Sequence, residues 1–479
     1  MPSRKVCIPE YSVTELAEAS DANASRIVLP NDVTYLVRAK HTEVAGYLRD
    51  GKPTSLPLRF QSFPIIFQGD GKPWDEANVF LFKMLENTSS PNMGTFIGMA
   101  EDLAAYRRFI ESVPIDWLSF PAHRLARPTY RYRSHLIHET LAGELKASTA
   151  NRRIGVVVRF YRWIIEEGLM TPDNPPWKDK VSLVSTRGDY GQPGVMRIKS
   201  TDLRINVPKQ DDPTNESICD GGKLRPLSPT EQDWLVEALE EVGNTELTMI
   251  HLFALVTGAR IQTILTFKVR NVMKLDCSDK APMCPVGPGT GVDTKNNKKM
   301  TLCIPPWFCE SLLTYVLSER ARKRRLSAIG GDADDQYLFL TVHGAPMYVS
   351  KQDKANVEFR PRRHRIAGQA VRQNIYDSVI PLIREKHDAK FHYRFHDLRA
   401  SYGMNIVDHL APLIDSGKIS YTAALNFVRT RLGHESLSTT ERYLKYRANQ
   451  KMARRVQDEW ESRLQQMATR VMGQGNAKI

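Results

Sequence analysis

The chain has 479 residues, 41% hydrophobic and 25% charged, which is the balance of an ordinary folded protein. It excludes collagen-like, wholly disordered and coiled-coil chains, and the length leaves room for roughly two to four domains. Lys and Arg number 67 against 54 Asp and Glu, a net +13 with neutral His, so a polyanionic partner is expected, nucleic acid before others.

In chain order, residues 1–73 read as an N-terminal extension without an assigned role. Val13–Ala19 predicts a short helix, and Ser55–Gln68 alternates apolar and polar residues up to the turn Gly69-Asp70-Gly71-Lys72-Pro73. Residues 74–177 read as a helical domain. Its best segment is Ser148–Glu167, where Ile154, Val157, Val158, Tyr161 and Ile165 fall at helical spacing, with Ser148 or Thr149 as the cap and Gly168 as the stop. Arg152, Arg153, Arg159 and Arg162 lie between the apolar positions, as a solvated face or as a helix laid on phosphates. Residues 178–226, rich in Gly, Pro, Asp and Ser, read as a linker with some extended structure.

A second domain is expected over 227–446. Helices are predicted over Thr230–Val242, Thr248–Val256, Pro306–Ser318, 368–386, 396–410, 421–432 and 439–447, and strands over Phe267–Leu275 and Lys298–Ile304. In the tail, 447–479, Met452, Val456, Trp460, Leu464, Met467 and Val471 recur at intervals of three and four, an amphipathic helix that packs on its own domain or docks on a neighbouring subunit. The cysteines, Cys7, Cys219, Cys277, Cys284, Cys303 and Cys309, lack C-x-x-C spacing and predict reduced thiols rather than a disulfide scaffold or a zinc site. No signal peptide and no membrane span are expected.

Four segments carry chemistry. They are Thr257-Gly258-Ala259-Arg260-Ile261, Thr294-Lys295-Asn296-Asn297-Lys298-Lys299, His396-Asp397-Leu398-Arg399, and Leu432-Gly433-His434-Glu435 followed by Ser438-Thr439-Thr440-Glu441-Arg442-Tyr443. Two arginines can grip the non-bridging oxygens of a phosphodiester with forked donors, a geometry that Lys cannot copy. His396 and Arg399, three apart, share one helix face. A tyrosine phenol has a pKa near 10, so as a nucleophile it needs a base and a positive field. Ser438 with Glu441 reads as a capping box opening the helix that bears Tyr443.

Together these segments resemble the catalytic domain of the tyrosine recombinases, the phage-integrase family. The family pattern is an Arg after T-G-x, a hairpin Lys, H-x-x-R, and L-G-H with a Tyr nine residues beyond the His. Ser148–Asn174 likewise resembles the end of the family's helical core-binding domain. The resemblance spans about 75–450. It implies a mainly α protein with a small β-sheet (α+β), in which a core-binding domain and a catalytic domain close on duplex DNA as a C-shaped clamp. It implies Arg260 and Arg399 as the phosphate clamp, His396 as base or donor, and His434 as a further donor. Tyr443 would be the nucleophile of a 3′-phosphotyrosine intermediate. Lys295, or Lys298 in its place, would protonate the leaving 5′ oxygen. It also implies no cofactor and no metal, a homo-tetramer on two DNA sites, accessory proteins of the same mobile element, and a bacterial cytoplasmic, nucleoid-associated location. Many relatives carry an acidic residue three positions after the first Arg, where this chain has Thr263.

The basic surface fits the same picture. Residues 351–399 hold twelve Lys/Arg and six Asp/Glu, with Arg360, Arg362, Arg363 and Arg365 as the densest cluster, and Arg320, Arg322, Lys323, Arg324 and Arg325 form another. Arg152, Arg153, Arg159, Arg162, Arg362 and Arg363 are the expected DNA contacts. The rival readings are a type IB topoisomerase-like or hairpin-forming strand transferase, and a noncatalytic DNA-binding accessory protein on the same scaffold. Gly287-Pro288-Gly289-Thr290-Gly291 lacks the G-K-[S/T] of a phosphate loop and reads as a turn.

Overall fold

The N-terminal residues, rich in β-branched and aromatic side chains, fold as strands. They are β1 (Arg4–Ser12), β2 (Thr14–Leu16), β3 (Ser25–Val28), β4 (Thr34–Ala39), β5 (His41–Arg49), β6 (Lys52–Pro57) and β7 (Arg59–Phe67). This is a computed structural model, and it describes residues 2–29, 32–49, 52–88, 91–187, 193–206, 217–280, 282–351, 353 and 367–475. All pairings are antiparallel: β1 with β7, the order β2-β4-β3, and the hairpin β5–β6. The helix expected over Val13–Ala19 is therefore strand β2. Val13 and Thr14 are β-branched, Val13 is buried, and Thr14–Leu16 register against Val37–Ala39.

Helices α1 (Asp75–Glu86), α2 (Met93–Ser112), α3 (Pro128–Leu141) and α4 (Ala147–Glu166) follow. Their core is aromatic: Trp74, Phe80, Tyr106, Phe120, Tyr132, Phe160 and Tyr161 are all buried. The hydroxyls of Tyr106 and Tyr161 meet at 2.5 Å, and Tyr161 is also placed to donate to Trp117 O at 2.6 Å. The predicted face of α4 is present, with Ile154, Val157, Val158 and Tyr161 buried. Its start differs. Lys146 occupies the N-cap with no side-chain cap, and Ser148 and Thr149 fall inside the first turn. The segment read as a linker includes a two-stranded ribbon, β8 (Asp179–Arg187) with β9 (Pro193–Thr201), and the small hairpin β10 (Ile218–Cys219) with β11 (Lys223–Leu224).

The chain forms two compact units, Met1–Lys209 and a second built on Gln210–Glu358 and His364–Ile479. In the second, α5 (Pro229–Val242) opens with a capping box, Ser228 Oγ accepting from Glu231 N and Glu231 from Ser228 N, and ends on left-handed Gly243. Helix α6 (Thr245–Thr257) runs through the core with Ile250, Phe253 and Ala254 buried. It is followed by α7 (Ile261–Leu265) and α8 (Val269–Met273). The strand expected over Phe267–Leu275 is thus mostly helix. Only Phe267 and Lys268 stay extended, with Leu338 N–H donating to Phe267 O, and Asn271 Oδ1 then accepts from Lys268 N and turns the chain. Strands β12 (Met283–Val286) and β13 (Met300–Cys303) pair antiparallel, and α9 (Pro306–Leu317) and α10 (Glu319–Leu326) come next.

Helix α11 (Gln369–Asn374), a π-helical turn Ile375–Val379, and α12 (Ile380–Lys386) lead to α13 (Asp397–Asp415) and α14 (Tyr421–Leu432). The last two predicted helices are one, α15 (Leu437–Gly475), because no Gly or Pro interrupts 437–472. Met452, Trp460, Leu464 and Met467 on it are exposed, so these residues do not pack on their own domain. Contrary to the expectation of reduced thiols, Cys277 and Cys309 form a disulfide, their Cα atoms 5.6 Å apart. The protein is mainly α with small antiparallel sheets, as expected. Among the described residues no helix is long and apolar enough to cross a membrane.

Candidate anion-binding active site

The T-G-A-R segment is shaped by its local chemistry. Thr257 Oγ1 donates to Phe253 O at 2.6 Å and accepts from Ala259 N at 3.2 Å, which bends the chain off the end of α6. Gly258 makes the bend at φ +66°, and a Cβ there would collide with the Tyr402 ring. The turn leaves Arg260 at the N-cap of α7. It also points Gly258 O at Arg399, whose Nη1 donates to it at 2.9 Å.

Arg399 is almost fully buried, on the first turn of α13. All of its nitrogens are used: Nη1 on Gly258 O, Nη2 on Leu432 O at 2.6 Å, and Nε on Asp220 Oδ2 at 2.8 Å. One guanidinium therefore ties the T-G-A-R turn, the L-G-H turn and the β10–β11 tip together. His396 sits at the N-cap of the same helix and makes no side-chain hydrogen bond among the described residues. Burial and the positive charges of Arg399 and Arg260 bring its pKa down to about 4, so the ring is neutral at ordinary pH.

Gly433 ends α14 at φ +62° and turns His434 inward. His434 Nε2 lies 3.0 Å from Asp220 Oδ2, and Nδ1 lies 2.9 Å from Thr440 Oγ1. An ionised carboxylate only accepts, so Nε2 carries the proton, and in the neutral ring Nδ1 accepts from the Thr440 hydroxyl. Burial, with the charges of Arg399 and Arg260, lowers the His434 pKa against the opposing pull of Asp220. Tyr443, on the second turn of α15, is buried, and its hydroxyl donates to the same Asp220 Oδ2 at 3.1 Å. Burial and the Asp220 charge hold this phenol above its usual range, and the two arginines only partly offset them. The ring rests on Gly403 of α13, where a Cβ would lie 2.5 Å from Tyr443 Cε1. The capping box expected at Ser438 does not form. Ser436 Oγ accepts from Ser438 N at 3.2 Å, and Glu441 pairs with Lys445 instead.

Arg260 faces the same carboxylate more loosely, with Nη2 3.6 Å from Asp220 Oδ1. Its Nε is buried without a hydrogen-bond partner among the described residues, and burial beside Arg399 lowers its pKa to about 10. Between β12 and β13, Lys298 Nζ donates to Gly433 O at 2.9 Å and so holds the L-G-H turn. Lys295 is exposed and makes no hydrogen bond or ion pair among the described residues, and its Nζ reaches Gly221 beside Asp220. Thr263 is buried on α7, close to Arg260. Arg260, Lys295, Lys298, Thr263, Arg399 and Gly433 line one small cavity.

The structure thus brings Arg260, Arg399, His434 and Tyr443 around one point, with His396 and Lys295 beside it. The residue at that point, Asp220, escaped sequence reading because it lies in the stretch taken as linker. The Asp220-Gly221-Gly222 turn was the available signal. Burial works to raise the Asp220 pKa, but the His434 hydrogen bond and the Arg399 charge overcome it, and the carboxyl is held well below its usual range.

The expected DNA contacts divide. Arg152 pairs with buried Asp102 at 2.9 Å, Arg153 with Glu139 at 3.4 Å, and Arg162 with Asp179 at 3.6 Å while stacking on Trp177. Arg159 is exposed and makes no ion pair among the described residues. The same unit has a groove of about 890 Å³ lined by Asn151, Arg162, Lys199 and Arg204. Arg362 and Arg363, with Arg360 and Arg365, lie outside the described residues. The cluster at 320–325 is largely committed internally. Arg320 and Arg324 grip buried Glu246 and Arg325 pairs with Asp332, whereas Arg322 pairs with exposed Glu319.

No protein-family model matches this chain, and no curated protein matches it. Solved structures similar to it include a Tn1549 transposon integrase in complex with circular intermediate DNA, with 12% identity over 76% of this chain and 93% of that one and a TM-score of 0.44. A lambda integrase dimer bound to a COC′ core site shares 14% identity over 77% of this chain and 94% of that one, at a TM-score of 0.43. XerA recombinase shares 16% over 77% and 92%, at 0.28.

Proposed function

We propose that this protein is a tyrosine site-specific recombinase that breaks and rejoins duplex DNA through a 3′-phosphotyrosine. The observation that carries the reading is the convergence of Arg399, Arg260, His434 and the Tyr443 hydroxyl on a single anionic group. A phosphodiester at that point would meet forked guanidinium donors, an imidazole N–H and a phenol, the set that stabilises charge growing on phosphoryl oxygens. On this reading the Tyr443 oxygen forms a bond to phosphorus as the bond to the 5′ oxygen breaks. The phenolic proton passes to His396, which is neutral and without a side-chain hydrogen-bond partner among the described residues. Lys295, also uncommitted, delivers a proton to the departing 5′ oxygen. Rejoining reverses each transfer, and the covalent ester conserves the bond energy.

The net charge of +13 supports a DNA substrate. Action as a tetramer on two sites, and integration or excision of a mobile element, belong to the same reading. The test is a nicked suicide duplex bearing the element's end sequence, with wild type and Tyr443→Phe. A denaturation-resistant protein–DNA adduct is expected with wild type and none with Tyr443→Phe. Binding without an adduct from wild type leaves the noncatalytic DNA-binding reading.

A further inference from the structure

We propose that Asp220 is a built-in occupant of the phosphate position, an autoinhibitory carboxylate that the tip of the β10–β11 hairpin withdraws when a phosphate enters. The inference rests on the reading of Arg399, Arg260, His434 and Tyr443 as phosphate donors, and it adds what they do before DNA arrives.

The first ground is stoichiometry. Asp220 Oδ2 alone meets Arg399 Nε, His434 Nε2 and the Tyr443 hydroxyl, at 2.8, 3.0 and 3.1 Å. Arg399 spends one N–H of Nη1 on Gly258 O and one of Nη2 on Leu432 O, and the carboxylate takes its Nε–H. A phosphate cannot have these donors while Asp220 keeps them. Nor would two anions share the spot, because like charges in a partly dry pocket repel strongly.

The second ground is the state of the nucleophile. Tyr443 must lose its proton to attack, yet here it donates that proton to a carboxylate, and the neighbouring negative charge opposes the phenolate. A phosphate held by the arginines would leave the phenol oxygen facing phosphorus instead. The present arrangement is stable and inactive.

The third ground is the construction of the hairpin. Its roots, Ile218 and Leu224, are buried against Leu432 and Tyr446, and Arg442 Nη1 holds Cys219 O at 2.7 Å. Between those anchors lies Asp220-Gly221-Gly222, whose glycines take φ +69° and +157°. A tip with two glycines can change path without moving its roots. Asp220 N–H to Gly222 O, 3.0 Å, is the tip's own backbone bond.

The alternative is that Asp220 is a permanent positioning residue that orients the arginines with DNA bound. Two measurements on the full chain separate them, with inorganic phosphate as the probe. In calorimetric titration at fixed pH and ionic strength, Asp220→Asn is expected to bind phosphate at least about tenfold more tightly than wild type, because the competing occupant is gone. In wild type, saturating phosphate is expected to speed hydrogen exchange at the amides of 219–223. Equal, weaker or undetectable phosphate binding by Asp220→Asn overturns the proposal, as does increased protection of 219–223 with phosphate. Should Asp220→Asn fold poorly, the exchange measurement on wild type decides. If phosphate binding tightens in Asp220→Asn but wild type never forms an adduct with DNA, the occupant stands and the recombinase reading falls.

Discussion

Two buried carboxylates of the second unit, Asp220 and Glu246, each meet two arginines, and they behave differently. Glu246, in the first turn of α6, is fully buried. It receives Arg320 Nε and Nη2 at 2.9 and 2.8 Å, Arg324 at 2.8 Å and the Tyr315 hydroxyl at 3.0 Å. Asp220 also meets two arginines and a tyrosine. At Glu246 both oxygens are bonded, the acid is fixed in a helix, and its arginines lie four apart on the facing helix. At Asp220 one oxygen carries nearly all the donors, the acid rides on a glycine tip, and Arg260 keeps a buried Nε without a partner among the described residues. Shared composition therefore does not make a site. Unfilled donors around a displaceable acceptor do, and the same residues with every bond filled make a rivet.

The comparison breaks first at Arg399. Arg399→Lys keeps the charge but cannot reach Asp220, Gly258 O and Leu432 O together. Adduct formation is expected to fall on the order of 10³-fold, measured as the single-turnover rate on the suicide duplex. At the rivet, Glu246→Gln leaves Arg320 and Arg324 without their counter-charge. A loss of about 2–3 kcal/mol is expected in urea denaturation, toward the low end for a broken buried pair because Arg320 is half-exposed.

The Glu246 pair also carries a pH signature. Burial raises the Glu246 pKa, but the bonds from Arg320 and Arg324 pull it below its ordinary 4.5. A depressed carboxylate contributes stability that is present above the unfolded pKa and is lost as pH falls through the folded one. Wild-type stability should therefore drop below about pH 4.5, and this part of the acid slope should vanish in Glu246→Gln. A slope unchanged in the variant would show that Glu246 is not the rivet described.

Next in size is Gly403→Ala. The added Cβ would meet the Tyr443 ring at 2.5 Å and push the phenol off its line. Misplacing a reacting group by about an ångström costs on the order of 10²-fold, so the adduct rate should fall by that much. Overpacking should cost about 1–3 kcal/mol in the same unfolding assay. A rate loss without a change in DNA affinity would place the effect on Tyr443 rather than on binding.

What the sequence disclosed follows from this contrast. Arg260, His396, Arg399, His434 and Tyr443 stood out through the resemblance of their motifs to the tyrosine recombinases, and Gly258 and Gly433 end the helices just before Arg260 and His434. The longer helices of the second unit and α4 of the first were legible from periodicity, whereas α8 reads as a strand in the sequence. Asp220 and Gly403 were not legible there. Asp220 acts across a sequence separation of 179 residues to Arg399, and Gly403 matters only because a ring from another helix lands on it. The arginines at 320–325 misled for the same reason. The carboxylate of Arg320 and Arg324, Glu246, is remote in sequence, so their commitment could not be read from the run itself.

The smallest expected effects settle what those arginines do. Arg322 is more than half exposed, with exposed Glu319 3.6 Å and partly buried Asp332 3.5 Å away. Arg322→Ala should change stability by no more than about 0.5 kcal/mol. If the cluster is committed inward, it should also leave unchanged the salt dependence of affinity for a nonspecific duplex. Arg159 has no ion pair among the described residues, and its side chain stands in solvent on α4. If it meets a phosphate, Arg159→Ala should reduce the slope of log K against log salt by about 1. A reduced slope for Arg322→Ala with none for Arg159→Ala would reverse the assignment. It would put the DNA on the cluster whose charges this structure has already paired.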